Sequence, residues 1–293
     1  MKGKNIKSLT LKQRSALNGY AFIGLWIVGF LLFVAYPVVY SLILSFNAIK
    51  IRTEGIIYTF KGLFFYDYAL NELTYFRSCL AVQVTMICYM TPIILVFALI
   101  IAMLLNMKFR GRALFRGIFF MPVIIMSGPV ISELLSKYAV NFSEKSTIVY
   151  EFLANLPSAL STPTEYVLNH LVLILWLCGV QILIFLAGLQ QISPDIYEAA
   201  SIDGAGAWEK FWQITLPHMT PLILICAVYT VIDTANYNEG GNVNALINSQ
   251  IFDSKYMYSY AAAMAWMYFV VVALLLAVVL IIFKFFGRKA NAK

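Results

Sequence analysis

Charge is what this 293-residue chain has least of: Asp, Glu, Lys and Arg together make up 12%. A water-soluble domain carries roughly 25%, so an ordinary soluble globule is excluded. Histidine occurs only as His170 and His218. Neither has a Cys, Asp or Glu at metal-ligand spacing, so no metal centre is expected. No catalytic constellation is visible, and Glu133, Glu144, Glu151 and Glu165 read as solvated acids. The four cysteines (Cys79, Cys88, Cys178 and Cys226) lie in or beside apolar runs, which argues for reduced packing residues and against a disulfide framework. A Gly-x-x-x-x-Gly-Lys-Ser/Thr run is also missing, so the chain is not expected to bind ATP itself.

What remains is apolar. Hydrophobic residues make up 61% and the mean hydropathy is +0.81. A membrane-spanning helix needs about 20 apolar residues, since the hydrocarbon core is roughly 30 Å thick and a helix rises about 1.5 Å per residue. Six blocks reach or approach that length: Tyr20–Phe46, Leu80–Leu105, Leu114–Leu135, Leu168–Leu189, Leu216–Tyr237 and Ala261–Phe286. None alternates polar with apolar, so barrel strands are excluded and helices are the expected spanning state. The first block follows a basic segment but is too long for a signal peptide and ends in no small-residue cleavage site. An all-α integral membrane protein is therefore expected, with a short segment 1–19, a six-span domain 20–286 and a tail 287–293.

The net charge of +7 reports orientation. With the N-terminus inside, fourteen of the 21 Lys and Arg fall in the inner segments. Lys108, Arg110, Arg112 and Arg116 crowd the short loop after the second block. This is the positive-inside pattern of a multi-pass protein in the cell (inner) membrane with both termini cytoplasmic. Nucleic acid is not an expected partner; the lipid bilayer is.

One inner loop breaks the rule. Between the fourth and fifth blocks, residues 190–217 carry Asp195, Glu198, Asp203 and Glu209 against Lys210. Ser193 and Pro194 suit an N-cap and first helical position. Gly204 and Gly206 permit a turn. A second helix then carries Trp208, Phe211, Trp212 and Ile214, and Pro217 is expected to redirect the chain into the fifth span. Two readings are open. The loop is an amphipathic connector with aromatics in the lipid interface, or an acidic docking element for a basic protein groove. Membrane connectors are usually basic because the inner leaflet is negative, which favours docking.

The same residues resemble the "EAA" coupling loop of binding-protein-dependent ABC importer permeases. Its pattern of Glu-Ala-Ala, three residues, Gly, nine residues, Ile, one residue, Leu-Pro is met by Glu198, Ala199, Ala200, Gly204, Ile214, Leu216 and Pro217. Asp203 and Ala205 complete the longer form of the maltose-type sugar branch. Trp176 with Ile184–Gln190 resembles the fourth span of that branch, and Tyr36-Pro37 with Ser45-Phe46 resembles the first span of the maltose/glycerol-phosphate A-type permeases. Gly240-Gly241-Asn-Val stands where that branch often has Gly-Gly-x-Pro. The resemblance implies a type I ABC importer permease fold with a cytoplasmic coupling-helix pair. It implies a heterodimer with a second related permease, a cytoplasmic ATPase dimer that binds ATP and Mg, an external solute-binding protein, and a sugar as cargo. A non-sugar cargo such as glycerol phosphate is the alternative within the class. Glu198 becomes the charged contact with the ATPase, Ala199 and Ala200 the close-packing surface, Gly204 the turn and Leu216-Pro217 the joint.

Polar and aromatic residues inside the spans are candidates for the cargo's path. They are Gln83, Tyr89, Trp176, Gln181, Tyr229, Asp233 and Asn236. Helix–helix packing is the competing explanation for each. Breaks at Thr91-Pro92 and Ser127-Gly128-Pro129 would either open a cavity or kink a packed helix. An ion-coupled carrier is the alternative class, and it needs ionisable groups near the midplane; Asp233 lies near a span end.

Overall fold

The computed structural model describes residues 10–52, 55–107, 110–111, 114, 117–118, 168, 170–237, 243–251 and 257–290. The chain divides into two units, Met1–Thr74 with Ile247–Met267, and Tyr75–Leu246 with Tyr268–Lys293.

In the first unit a helix runs through α1 (Leu11–Phe30), a π-wound turn (Leu31–Ala35) and α2 (Tyr36–Phe46). Proline explains the π turn. Pro37 has no N–H and its ring crowds the carbonyl of Phe33, and the turn ahead of it is widened, with the Tyr36 N–H donating to the Leu31 carbonyl. An antiparallel hairpin follows, β1 (Asn47–Arg52) against β2 (Gly55–Phe60), in the register Asn47↔Phe60 to Arg52↔Gly55. The Ile49 N–H donates to Ser259 Oγ at 3.2 Å, and the Tyr40 and Tyr58 hydroxyls share a 2.7 Å bond. A short helix α3 (Phe64–Asp67) and a second π turn (Tyr68–Glu72) bury Phe65 and Ala69. Ser45 Oγ bonds the Tyr66 hydroxyl at 2.7 Å.

The second unit opens with α4 (Thr74–Asn106). Its residues Met90, Ile94, Ala98, Ala102 and Leu105, about one turn apart, are each at most 3% exposed. They join one core with Leu173, Ile174 and Leu177 of α5 (Leu171–Leu177) and with Ile182, Phe185, Leu186 and Leu189 of α6 (Gly179–Gln191). At Thr91-Pro92, where the sequence left open either a cavity or a kinked packed helix, the helix is continuous. Pro92 lies inside unbroken α4, and the Thr91 hydroxyl donates to the Ile87 carbonyl at 2.7 Å. Thr220-Pro221 repeats the arrangement, with Thr220 Oγ1 donating to the Leu216 carbonyl at 3.0 Å. Ser127-Gly128-Pro129 lies outside the described residues.

The described part of the fourth block is α5 and α6, joined at Cys178, and Gly179–Gln191 is an apolar helix shorter than a span. The hydrogen-bond ladder crosses the joint, from Cys178 N–H to the Ile174 carbonyl at 3.0 Å and from Ile182 N–H to the Cys178 carbonyl at 2.9 Å. After α7 (Pro194–Ile202) come α8 (Ala207–Lys210), a third π turn (Phe211–Thr215) and α9 (Leu216–Asn236). Pro217 does not redirect the chain as expected. Residues Ala207–Asn236 form one 30-residue apolar helix, because the turn ahead of Pro217 is widened as it is ahead of Pro37, with Leu216 N–H donating to the Phe211 carbonyl. The short α10 (Val243–Ile251) and the long α11 (Met257–Ala290) complete the described helices.

Among the described residues, four helices are long and apolar enough to cross a membrane: Phe22–Phe46, Tyr75–Asn106, Ala207–Asn236 and Tyr258–Phe285. They correspond to the first, second, fifth and sixth blocks. Most of the third block, Leu114–Leu135, lies outside the described residues.

The contact of α6 with α9 depends on Gly188. A Cβ there would overlap Leu222 Cδ1 and stand 3.1 Å from Met219 Sδ. Gly188→Val should therefore force the two helices apart, at about 1–3 kcal/mol for overpacking. Its melting temperature in detergent should fall clearly below the parent's. An unchanged value would mean that Leu222 and Met219 swing aside.

Candidate functional site

The residues of the acidic loop fold into a compact helix pair. Ser193, in extended backbone, caps α7 by accepting from the Asp195 N–H at 3.3 Å, and Pro194 takes the first helical position. The far end closes as a Schellman turn. Ala205 N–H donates to the Ala200 carbonyl at 2.9 Å and Gly204 N–H to the Ser201 carbonyl at 3.2 Å. Gly204 stands at φ +83°, the left-handed region where a Cβ is disfavoured. Gly206 has φ −70°, so the turn expected of two glycines needs one. Gly206 instead donates its N–H to Glu209 Oε2 at 2.6 Å, and this carboxylate starts α8.

The two helices are tied by side chains. Lys210 Nζ donates to Ser201 Oγ at 2.6 Å, which itself donates to the Tyr197 carbonyl at 2.7 Å. The Tyr197 hydroxyl meets Thr215 Oγ1 at 2.8 Å. These bonds sort the loop's four acids. Asp195 is bonded to Ser193 at 3.1 Å and Glu209 to Gly206, whereas the carboxylates of Glu198 and Asp203 have no partner among the described residues. Both residues are exposed, as is Ala199, while Ala200 is half-buried. Ile214 and Leu216 are half-buried and Pro217 is exposed, so the motif's second half belongs to the head of the long helix.

A second polar group gathers around the far end of α9. The last carbonyls of a helix have no partner within it, and here side chains supply them. Gln83 Nε2 donates to the Thr234 carbonyl at 3.1 Å. Asn244 Nδ2 and the Tyr268 hydroxyl both donate to the Ala235 carbonyl, at 2.8 and 2.7 Å. Asn236 Nδ2 folds back to the Ile232 carbonyl at 3.0 Å. Gln83 and Asn236 thus have a structural task that the sequence did not reveal. One turn away, Gln181 Nε2 donates to Thr230 Oγ1 at 2.8 Å, and that hydroxyl donates to the Cys226 carbonyl at 2.7 Å. Gln181 Oε1, Asp233 Oδ2, Thr234 Oγ1 and Trp176 Nε1 are buried with no hydrogen-bond partner among the described residues. Leaving such groups unpaired is costly.

Of the other sequence candidates, Tyr229 is half-buried on α9. Tyr89 is 60% exposed, on a different face of α4 from buried Gln83. Sequence reasoning missed Asn244 and Tyr268; nothing in an apolar helix marks one tyrosine as a helix cap.

Comparison with known proteins agrees with this architecture. Residues 76–291 match the family described as the binding-protein-dependent transport system inner membrane component. The chain is 33% identical over 292 residues to the probable ABC transporter permease protein YesP of Bacillus subtilis (strain 168), covering 93% of this chain and 91% of that one. It is 30% identical to the lactose transport system permease protein LacF of Rhizobium radiobacter, covering 91% and 94%. A subunit in the crystal structure of a bacterial ABC transporter that imports the acidic polysaccharide alginate superposes with a TM-score of 0.63 at 18% identity, covering 92% of this chain and 96% of that one. At that identity the likeness is one of fold, the type I ABC permease fold. With most of its length matched by the family and by relatives of nearly equal span, the chain belongs to the inner membrane components of binding-protein-dependent transport systems.

Proposed function

We propose that this chain is one of two related permease subunits of an ATP-driven carbohydrate importer, working with a cytoplasmic ATPase dimer and an external solute-binding protein. The helix pair from Ser193 to Thr215 carries the reading. It is held rigid by its own hydrogen bonds, yet leaves the carboxylates of Glu198 and Asp203 unpaired and exposed beside Ala199. An internally satisfied element that presents free acids suits docking to a cationic groove. ATP and Mg belong to the partner ATPase. The helix pair faces the cytoplasm with both termini, as the distribution of Lys and Arg supports.

Names of relatives support the cargo class. They include permeases for lactose and, in Halalkalibacterium halodurans, for arabinooligosaccharides. The cargo's path runs by the unpaired groups of Trp176, Gln181, Asp233 and Thr234, against the second permease. Sugar hydroxyls both donate and accept, so they suit a wall that offers an indole N–H together with amide, carboxylate and hydroxyl oxygens.

Uptake of labelled oligosaccharide by proteoliposomes holding the whole complex tests this. Uptake should require ATP and the binding protein and should be indifferent to ion gradients. Uptake driven by a proton or sodium gradient without ATP would instead establish an ion-coupled carrier.

A further inference from the structure

The surface that the helix pair does not turn to docking acids is aromatic. Trp208 is 71% exposed and Trp212 is 48% exposed. Their rings meet edge to face at 5.5 Å, and Phe211 completes the cluster, 5.3 Å from Trp212. These residues are not on a separate connector. They form the first turns of the helix that continues to Asn236 as one 30-residue apolar rod.

That continuity sets their depth. A 30-residue helix is about 45 Å long, well beyond the roughly 30 Å of hydrocarbon it has to cross. The polar end, from Asp233 to Asn236, belongs at one boundary, and Ile232 is the last apolar residue before it. Counting about 20 residues back from Ile232 reaches Gln213. Trp212 therefore falls at the opposite boundary, and Trp208 lies four residues, about 6 Å, further out. This is the headgroup layer, where tryptophan is enriched because its ring is apolar and its N–H is polar.

We infer that Trp208, Phe211 and Trp212 seat the coupling-loop helix in the headgroup layer of the lipid bilayer. The occupant of this aromatic face is phospholipid, while Glu198 and Asp203 on α7 stay in water. The widened turn Phe211–Thr215 lies at the same boundary, so the lipid contact holds the helix where its winding changes. The inference needs only that α9 spans the bilayer, and it stands whether or not the acids dock an ATPase.

The test is depth-dependent quenching of tryptophan fluorescence. The full chain, with Trp26, Trp176 and Trp266 replaced by Phe, is reconstituted with its accompanying subunits in phosphatidylcholine nanodiscs. Bromine is carried either near the headgroup end of the acyl chain or near its terminal methyl. Emission from Trp208 and Trp212 should be lost to shallow bromine and largely retained with deep bromine. Trp208→Phe and Trp212→Phe, made one at a time in the same background, should each leave a single emitter in this chain with that preference, read as the difference from the complex that lacks both. If neither lipid quenches either ring, protein or water covers this face and the inference fails. Stronger quenching by deep bromine would overturn it as well, because the helix would then sit a turn or more deeper.

Discussion

Glu198→Lys should leave the chain inserted and folded, yet reduce ATPase retention on purification by more than tenfold and abolish ATP-driven uptake. The side chain is exposed and its carboxylate has no partner among the described residues, so reversing its charge breaks no internal bond. A lysine at this position would face Asp195 three residues earlier, which helps α7 rather than harming it. If Glu198 docks an ATPase as proposed, the cost falls at that interface. Breaking a desolvated charge pair there costs about 2–5 kcal/mol, and each 1.4 kcal/mol is about tenfold in affinity. Gly204→Val makes the informative contrast. It retains both free acids but places a β-branched residue at φ +83°, straining the Schellman turn by about 1–2 kcal/mol. That variant should keep part of its ATPase while losing stimulated hydrolysis, because the acids are present but misdirected. A Glu198→Lys complex that assembles and transports like the parent would remove this residue from the contact. Loss of insertion would assign the loop to folding instead.

Four of the six expected spans were legible among the described residues, because lipid imposes a simple demand, about twenty apolar residues in a row. Blocks such as Leu80–Leu105 and Ala261–Phe286 meet it without reference to any partner. The helix pair was legible for a different reason. Ser193-Pro194 and Gly204 have local conformational preferences that act within a few residues. What depended on longer reach was hidden. The hairpin from Asn47 to Phe60 pairs six residues with six, too short for its period of two to stand out beside a 25-residue apolar span. Proline misled at Pro217, where a wider turn absorbs the missing N–H as it does at Pro37. At Pro92 and Pro221 the helix continues with the preceding threonine folded back on it. The polar residues were found but their tasks were not. Gln83 and Gln181 look alike in sequence, and only the position of the end of α9 makes the first a cap and leaves the second with a free carbonyl.

That difference yields the sharper test of the cargo's path. Gln181 is fully buried, its amide N–H₂ donating to Thr230 and its Oε1 without a partner among the described residues. Gln181→Leu keeps similar volume. It removes one hydrogen bond, worth about 0.6 kcal/mol between membrane helices, and Thr230 retains its bond to the Cys226 carbonyl. The same change removes a buried unpaired oxygen, whose burden is about 1–3 kcal/mol. The balance favours the variant, so its melting temperature should match or exceed the parent's. Uptake should move the other way. If Oε1 accepts from a hydroxyl of the passing cargo, losing it leaves that hydroxyl unpaired inside a desolvated channel. A loss of about 1.4 kcal/mol corresponds to about a tenfold loss, read as a raised KM or a lowered rate of transport. Packing alone predicts no such split, since a residue that serves only to hold α6 on α9 would change uptake in step with stability. Gln83→Leu provides the control: it uncaps the end of α9, so stability and uptake should fall together. Parent-like uptake by a stable Gln181→Leu complex would take this side chain off the path.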